Sequence, residues 1–238
     1  MDYYKDYQEL FEGAVLWFTG YDQTNLGFPI LPAGVTVTPN GTFYKTDLGN
    51  NKSVLNFDGS TNYMSLSDND AWHMWLGDAT FAAWASIANL TSHVVFLTQR
   101  VDGSNQLGIY RNYTNNILVL FIISSGVDVG VFSCPFSPTQ NVWYHISILR
   151  SGTSCLMYIN GVSQTVTQIA AFATVPNLSA AFNIGYGSAQ GYATGNLKDL
   201  LVYKGRALTQ VEIVTLMRLT EPGKRDITPI LPGIRGVE

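Results

Sequence analysis

The sequence is divided into short runs of β-branched and aromatic residues, each bounded by Gly, Asn, Asp, Ser or Pro. Such runs are typical of strands, and the residues that bound them are typical of turns. Because little helical patterning separates the runs, the sequence favours antiparallel sheets and predicts an all-β fold of two packed sheets. The predicted strands are 13–18, 54–57, 63–66, 80–87, 94–100, 106–111, 117–124, 127–132, 142–149, 155–159, 182–184 and 197–203.

Period-two alternation predicts which side chains of a strand face the core. In the run 80–87, Phe81, Ala83, Ala85 and Ile87 share one face. The run 117–123 is apolar at every position, which predicts a central strand buried on both faces.

The C-terminal region contains one helix signal followed by an apolar tail. Thr209 and Glu212 form a capping-box pattern ahead of apolar residues at helical spacing, which predicts a short helix. Repeated Pro and Gly after Glu221 exclude a continuation and predict an extended arm over 220–238. Its apolar residues are predicted to dock on a partner: Ile227, Ile230, Leu231 and Ile234.

Composition limits the classes of partner. The chain has 238 residues, 46% of them hydrophobic and 13% charged, which suits a protein with a sizeable core. Its net charge is −4 and its Lys and Arg residues are scattered, so nucleic acid is not expected as a partner. The longest apolar run, 117–123, is too short to span a bilayer, so membrane insertion is not expected either.

Six segments, in this order, resemble the laminin-G-like, concanavalin A-like jelly-roll family. They are LNFDGSTNYMSL at 55–66, ATFAAWASI at 79–87, VWYHISIL at 142–149, LMYINGV at 156–162, FNIGYG at 182–187 and GNLKDLLVYKGRALTQVEI at 195–213. The resemblance implies an antiparallel two-sheet jelly roll over 10–219, with an N-terminal segment at 1–9 and the arm at 220–238. It also implies glycan binding, protein adhesion or a structural role, without deciding among them.

One position departs from the family pattern. Relatives often carry two adjacent acids in the strand before the final helix, where this chain has Lys198 and Asp199. A metal ligand at the first of these positions is therefore not carried over.

The acidic residues and histidines do not form a catalytic pattern. Some relatives are retaining glycoside hydrolases, which need two carboxyl groups about 5–5.5 Å apart. Glu occurs at 9, 12, 212, 221 and 238, outside the predicted core strands, while Asp68 and Asp70 lie in a turn-rich segment typical of a solvated loop. The histidines are far apart in sequence, and His145 is expected to be a packed, hydrogen-bonded ring. We therefore expect no enzymatic activity.

No cofactor is expected apart from a metal ion. Calcium is the ion that the loop oxygens would suit best. Candidate ligands are Asp58, Asn62, Asp68 and Asp70, but Asp58 also suits a simple turn. Cys134 and Cys155 are the two cysteines of the chain, and the sequence leaves open whether they form a bridge or remain buried thiols.

Aromatic residues in or beside predicted loops are the candidates for stacking on sugar rings. They are Trp72, Trp75, Tyr110, Tyr113, Tyr186 and Tyr192. The alternative is that these rings seal the ends of the sandwich or contact a neighbouring protein.

These features lead to a hypothesis of a non-catalytic structural or adhesion protein. The chain begins at Met without an export signal, which favours a virion component, either capsid-decorating or tail-associated, on the virion surface. Its partners would be other virion subunits, surface carbohydrate of a host, or a second copy of the chain. The alternatives are a free extracellular glycan-binding lectin and, less favoured, a glycoside hydrolase.

Overall fold

The strands pair into two antiparallel sheets that pack face to face. The computed structural model describes residues 9–19, 30–49 and 52–223. The strands are β1 (Ala14–Phe18), β2 (Val37–Asn40), β3 (Tyr44–Gly49), β4 (Lys52–Asp58), β5 (Tyr63–Leu66), β6 (Ala79–Ile87), β7 (Val94–Arg100), β8 (Gln106–Asn112), β9 (Ile117–Ser124), β10 (Val127–Pro135), β11 (Trp143–Ser151), β12 (Ser154–Ile159), β13 (Val162–Ser163), β14 (Thr167–Ala170), β15 (Phe182–Ile184), β16 (Tyr186–Gly187), β17 (Gly191–Tyr192) and β18 (Thr194–Lys204).

The first sheet has the strand order β13-β12-β11-β6-β18-β4-β3, and β1 also pairs with β18. The second sheet has the order β14-β10-β9-β8-β7-β15-β5-β2. The short strands β16 and β17 form a separate hairpin. This arrangement is the antiparallel jelly-roll sandwich that the sequence predicts.

The core between the sheets follows the predicted alternation. Phe81, Ala83, Ala85 and Ile87 of β6 all belong to the main hydrophobic cluster. Strand β9 lies between β8 and β10 in the middle of the second sheet, and its residues 118–122 are buried. The prediction of a central strand is therefore confirmed.

The helix α1 (Gln210–Leu219) begins at the predicted capping box. The Thr209 hydroxyl accepts a hydrogen bond from the Glu212 backbone N–H at 3.3 Å, and Glu212 Oε2 accepts one from the Thr209 backbone N–H at 2.7 Å. Two short 3₁₀ turns, Asp70–Trp72 and Met74–Leu76, precede β6. Within the described ranges, no helix combines the length and the hydropathy needed to cross a bilayer.

Some elements went unpredicted, and some predictions fall outside the described ranges. Strands β2, β3 and β14 are terminal strands of their sheets, where exposed polar side chains replace the alternating pattern.

The arm residues Ile227, Ile230, Leu231 and Ile234 lie outside the described residues, as does most of the segment 1–9. The domain boundaries at 9/10 and 219/220 therefore stay predictions.

Both cysteines are buried free thiols. Burial raises the pKa of each thiol to about 12, and the nearby Cys134 also raises the pKa of Cys155. The alternative of a disulfide bridge is therefore wrong for this structure.

Candidate functional site

The outer face of the first sheet is covered by other parts of the same chain. Leu10, Phe11 and Trp17 from the N-terminal side join residues of α1 in a second hydrophobic cluster. This cluster packs on side chains of β6, β11 and β18 that point away from the main core. Because this face is occupied, it offers little room for an external ligand.

A buried polar network stabilises this covered face. Lys198 contacts Asp199 in an ion pair in which both side chains are at most 4% exposed, and Lys198 Nζ also donates to the Thr220 carbonyl at 2.6 Å. Trp17 Nε1 donates to Asp199 Oδ1 at 2.7 Å, while Trp84 Nε1 donates to Thr220 Oγ1 at 3.0 Å. The position at which relatives often carry an acid thus holds a lysine that links β18 to the end of α1.

The outer face of the second sheet carries the β16–β17 hairpin, which lies over β7. Thr98 Oγ1 donates to the Tyr186 carbonyl at 2.6 Å and fixes the hairpin to the strand beneath it. Gly187 allows this close approach, because a Cβ there would lie 2.9 Å from the Thr98 methyl group. Gly185 sets the direction of the hairpin with a φ of 85°, and a Cβ there would lie 2.4 Å from the Phe57 ring.

Three partly exposed tyrosines form a cluster beside this hairpin: Tyr63, Tyr186 and Tyr192. The ring centroid of Tyr186 lies 4.7 Å from that of Tyr63 and 4.7 Å from that of Tyr192. The centroids of Tyr63 and Tyr192 are 6.2 Å apart. The structure therefore brings the predicted residues Tyr186 and Tyr192 together.

Tyr63 is the member of the tyrosine cluster that the sequence analysis missed. It lies in β5, where Met64 and Leu66 are fully buried, so the alternation of the strand directs Tyr63 to the outer face. The alternation in β5 is the sequence signal that marks Tyr63, which lies within a strand and not in or beside a predicted loop.

A polar cavity of about 360 Å³ adjoins the tyrosine cluster through Tyr186. Its wall includes Arg100, Asp102, Asn183 and Ser188. Arg100 Nε donates to the Asp102 carbonyl at 3.1 Å, and the guanidinium group also contacts the Ser188 hydroxyl, so two partners orient it. Asn183 points outward because its neighbours in β15, Phe182 and Ile184, are buried in the core. Amide, guanidinium, carboxylate and hydroxyl groups beside aromatic rings are the groups that recognise sugar hydroxyls.

Tyr110 and Tyr113 belong to a separate aromatic group around His93. The His93 ring lies 5.5 Å from Tyr110 and 5.0 Å from Tyr113, edge to face in both cases. Burial raises the pKa of Tyr110, so its phenol stays protonated at neutral pH, although a hydrogen bond with Asn112 opposes the shift. Tyr113 is 39% exposed. These two tyrosines remain candidates at a second position, beyond the tyrosine cluster.

The prediction that Trp72 and Trp75 form a sugar-stacking surface is wrong, because both side chains are fully buried. Trp72 stacks on Phe182 with centroids 4.7 Å apart, and its Nε1 donates to the Ser67 carbonyl at 3.0 Å. Trp75 lies parallel to Phe172 at 6.4 Å. The 3₁₀ turns direct both indoles into the sandwich, which matches the alternative that such rings seal its end.

The four candidate calcium ligands do not form one site. Asp58 and Asn62 close the turn before β5, whereas Asp68 and Asp70 follow that strand, so roughly 13 Å of extended chain separates the two pairs. Asp70 Oδ1 accepts a hydrogen bond from Asn177 Nδ2 at 2.9 Å. Across the described ranges, no cluster of three or more His, Cys, Asp or Glu side chains is arranged to hold a metal ion.

The Asp58 carboxylate is occupied within its own turn. Its Oδ1 accepts hydrogen bonds from the backbone N–H groups of Ser60 and Thr61, each at 2.8 Å, and its Oδ2 accepts one from the Thr61 hydroxyl. Burial acts to raise the pKa of Asp58, but these hydrogen bonds outweigh it and hold the pKa well below its usual range. Asp58 therefore stabilises a turn, as the alternative to calcium binding predicted.

The Glu212 carboxylate, which lies at a second cavity, has structural partners. A cavity of about 460 Å³ is lined in part by Glu9, Glu12, Glu212 and Arg206. Burial acts to raise the pKa of Glu212, but hydrogen bonds from Thr209 and Arg206 lower it overall. A retaining hydrolase needs a general acid with a raised pKa, so Glu212 does not suit that role.

His145 is also placed for structure rather than chemistry. It is 1% exposed, packs against Trp84 at 5.3 Å, and its Nδ1 lies 3.5 Å from the Ser147 hydroxyl. Burial, together with the charge of Lys198, lowers the pKa of His145 to about 3. The ring is therefore neutral over the physiological range.

Known structures share this fold at low sequence identity. Domain 4 of AbnA, a GH43 extracellular arabinanase from Geobacillus stearothermophilus solved with arabinotriose, matches 86% of this chain and 99% of its own chain, at 19% identity and a TM-score of 0.63. The binding domain of botulinum neurotoxin DC, solved with rat synaptotagmin II, matches 89% of this chain at 11% identity and a TM-score of 0.66. The binding domain of Paraclostridial Mosquitocidal Protein 1 matches 87% at 16% identity and a TM-score of 0.61.

The two toxin domains are larger than this chain, which corresponds to 52% of the length of each. No curated protein matches the chain in sequence. A family model described as the concanavalin A-like lectin/glucanases superfamily matches residues 58–214, which is more than half of the chain. Because this match covers more than half of the chain, the chain belongs to the concanavalin A-like lectin/glucanases superfamily.

Proposed function

We propose that the protein is a non-catalytic carbohydrate-binding domain whose ligand lies on the outer face of the second sheet. The observation that carries this proposal is the tyrosine cluster, partly exposed beside a polar cavity on the face that α1 does not cover. Tyrosine rings stack on the apolar faces of sugars, while Asn183, Arg100 and Ser188 are placed to bond with hydroxyl groups.

The structural neighbours support the same class of function. Domain 4 of the arabinanase was solved with arabinotriose, and other similar structures are toxin binding domains. At 11–19% identity these structures share the fold with this chain, and they support carbohydrate as the class of ligand. A carbohydrate-binding domain of this kind suits an extracellular or surface-exposed protein.

A glycan array tests the proposal, with arabinotriose titrated separately by calorimetry. We expect binding that survives a chelator, and a loss of up to roughly tenfold in affinity for Tyr186→Ala or Tyr192→Ala, because a stacked ring contributes about 0.5–1.5 kcal/mol beyond its buried area and about 1.4 kcal/mol is a factor of ten. Tyr44→Ala is the matched control, since Tyr44 is 66% exposed on the other sheet. Binding by no glycan, or equal losses in all three variants, would reject the proposal.

Tyr113→Ala tests the group around His93 in the same assay. If Tyr113→Ala lowers affinity as much as Tyr186→Ala does, the ligand extends along the sheet to this second group. If it has no effect, the ligand is confined to the hairpin side.

We propose further that the domain is displayed on an assembly, such as the surface of a virion in a capsid-decorating or tail-associated position. Leu10, Phe11 and Trp17 form with α1 the hydrophobic cluster on the outer face of the first sheet, opposite the tyrosine cluster. Attachment through the arm 220–238, with Ile227, Ile230, Leu231 and Ile234 as contacts, would therefore leave the tyrosine cluster facing outward. Other subunits or a second copy of the chain are the proposed partners.

Truncation after Gly223 tests display. We expect the shortened chain to keep glycan binding but to lose incorporation into particles. Unchanged incorporation would reject the docking role and favour a free lectin. The hydrolase alternative would return only if the protein cleaved a polysaccharide and Asp68→Asn abolished the cleavage.

A further inference from the structure

Arg100 supplies a positive charge to the wall of the polar cavity beside the tyrosine cluster. It ends β7, two residues after Thr98, so strand alternation places both side chains on the outer face of the second sheet. Asn183 pairs with Thr98 between β15 and β7, which makes Asn183 and Arg100 diagonal neighbours on that face. The sheet therefore presents a guanidinium group and an amide together at the cavity, next to Tyr186.

The guanidinium group of Arg100 is held in place but is only partly used. Of its five N–H groups, two are bonded within the described part of the chain and three are not. Nε donates to the Asp102 carbonyl at 3.1 Å, and Nη1 contacts the Ser188 hydroxyl. Nη2 lies beside Gly103, where a Cβ would be 3.6 Å away, so residue 103 has no side chain that covers it. A ligand in the cavity can therefore accept hydrogen bonds from Nη2.

The acidic residue beside Arg100 does not form an ion pair with it. The Asp102 carboxylate is used within its own turn, where Oδ1 accepts hydrogen bonds from the Ser104 backbone N–H at 2.8 Å and from Asn105 Nδ2 at 3.2 Å. In the ranges that the structure describes, no carboxylate lies within ion-pair distance of the Arg100 guanidinium. Because hydrogen bonds from a guanidinium group to a carboxylate are stronger than those to a neutral hydroxyl, this cation favours an acidic ligand.

Asn183 is a second polar group that a ligand can use. Its side chain is partly exposed and makes no hydrogen bond with the described residues. The Thr98 hydroxyl, in contrast, already donates to the Tyr186 carbonyl. The Asn183 amide can donate to one sugar hydroxyl and accept from another, next to the group that Arg100 binds.

The charge of this surface suits a single carboxylate rather than a polyanion. Arg100 is the one cation among the described residues that line the cavity, Asp102 lies in the same wall, and the chain has a net charge of −4. A polymer with closely spaced sulfate or phosphate groups needs a row of cations, which this cavity wall does not supply.

We propose that the site selects a sugar that carries a carboxylate, with its ring stacked on Tyr186 and its carboxylate bound by Arg100. This inference rests on the proposed function and narrows the ligand from carbohydrate to acidic carbohydrate. Arg100 determines the specificity, Ser188 orients Arg100, and Asn183 binds a neighbouring hydroxyl group.

Acidic glycans paired with their methyl esters test this selection, because esterification removes the charge and keeps the ring and its hydroxyl groups. The full chain is applied to an array of galacturonate, glucuronate and sialic acid glycans, each beside its ester. We expect at least one acid to bind, and its ester to bind roughly tenfold more weakly or worse. The preference should shrink at about 0.5 M NaCl, where screening weakens the attraction between the charges.

Variants of the unpaired cation give a second measurement. Arg100→Gln should lower the affinity for the acid to that for the ester, without changing the affinity for the ester. Arg100→Lys keeps the charge but not the planar fork, so it should keep a smaller preference. Arg218→Gln is the matched control, since it removes one positive charge from an exposed position of α1 on the opposite face.

The outcomes separate this inference from the proposed function. If esters or neutral glycans bind as tightly as the acids, or if Arg100→Gln and Arg218→Gln reduce the preference equally, the inference is wrong and carbohydrate binding stands. A preference for sulfated polymers without carboxylates would also overturn it. Binding by no glycan at all would reject the proposed function together with this inference.

Discussion

The burial of His145 stabilises the folded domain only while its imidazole ring is neutral. His145 lies under Trp84 and near Lys198, with a pKa lowered to about 3. An unfolded histidine has a pKa of about 6.5, so the unfolded chain binds a proton that the folded chain excludes. The stability that comes from a neutral His145 is complete above about pH 6.5 and declines as the pH falls toward 3.

We therefore expect the free energy of unfolding to fall by up to about 1.4 kcal/mol per pH unit in this window from His145 alone. Chemical denaturation at pH 7, 5.5 and 4.5 measures the slope. His145→Asn should be less stable at pH 7, yet show a shallower dependence on pH. The same slope in both proteins would mean that another group controls it.

The β16–β17 hairpin is the element on which the proposed ligand site depends most. Its approach to β7 requires a glycine at 187, where a Cβ would lie 2.9 Å from both the Thr98 methyl group and Gln190 Oε1. An added methyl group would push the hairpin outward and separate Tyr186 from the wall of the polar cavity.

Gly187→Ala should therefore lower glycan affinity by roughly tenfold, the equivalent of 1.4 kcal/mol, while the far-ultraviolet spectrum and the core stay intact. Gly77→Ala is the matched control, because a Cβ at Gly77 would have no neighbour within 4 Å. Calorimetry with the best glycan from the array measures the difference. Equal affinities for the two variants would show that glycan binding does not depend on the position of the hairpin.

The reactivity of the two buried cysteines can be used to measure how the two sheets separate when the protein unfolds. Cys134 lies in the second sheet and Cys155 in the first, and both face the shared core. Burial and a pKa of about 12 leave both thiols unreactive in the folded state.

If the two sheets separate as one cooperative unit, both thiols should react with a thiol reagent at the same rate, and only on unfolding. Mass spectrometry of partly labelled protein in mild denaturant distinguishes the outcomes. Doubly labelled chains without singly labelled ones indicate one unit, whereas early labelling of a single cysteine would show that its sheet opens first.

The sequence predicts the inside of this molecule better than its outside. Strands such as β6 and β9 carry apolar residues at core positions, so their place could be predicted from alternation. Strands β3 and β14 lie at sheet edges and carry exposed polar residues, so they show no alternating pattern from which they could be predicted.

The candidate site could likewise be predicted only in part. Tyr186 and Tyr192 could be selected by type, but their contact with Tyr63 depends on pairing across more than a hundred residues of β5 with β15, which no local pattern encodes.

The pairing of β1 with β18 affects how the chain is made. Trp17 lies opposite Leu201, so a strand synthesised near the start finds its partner only when almost the entire domain has been translated. Such distant pairing slows folding, since a long loop must close before the contact forms. A ribosome carrying the first 190 residues would therefore hold an incomplete sandwich with apolar side chains exposed, and nascent-chain chaperones would have their longest access to it at that stage.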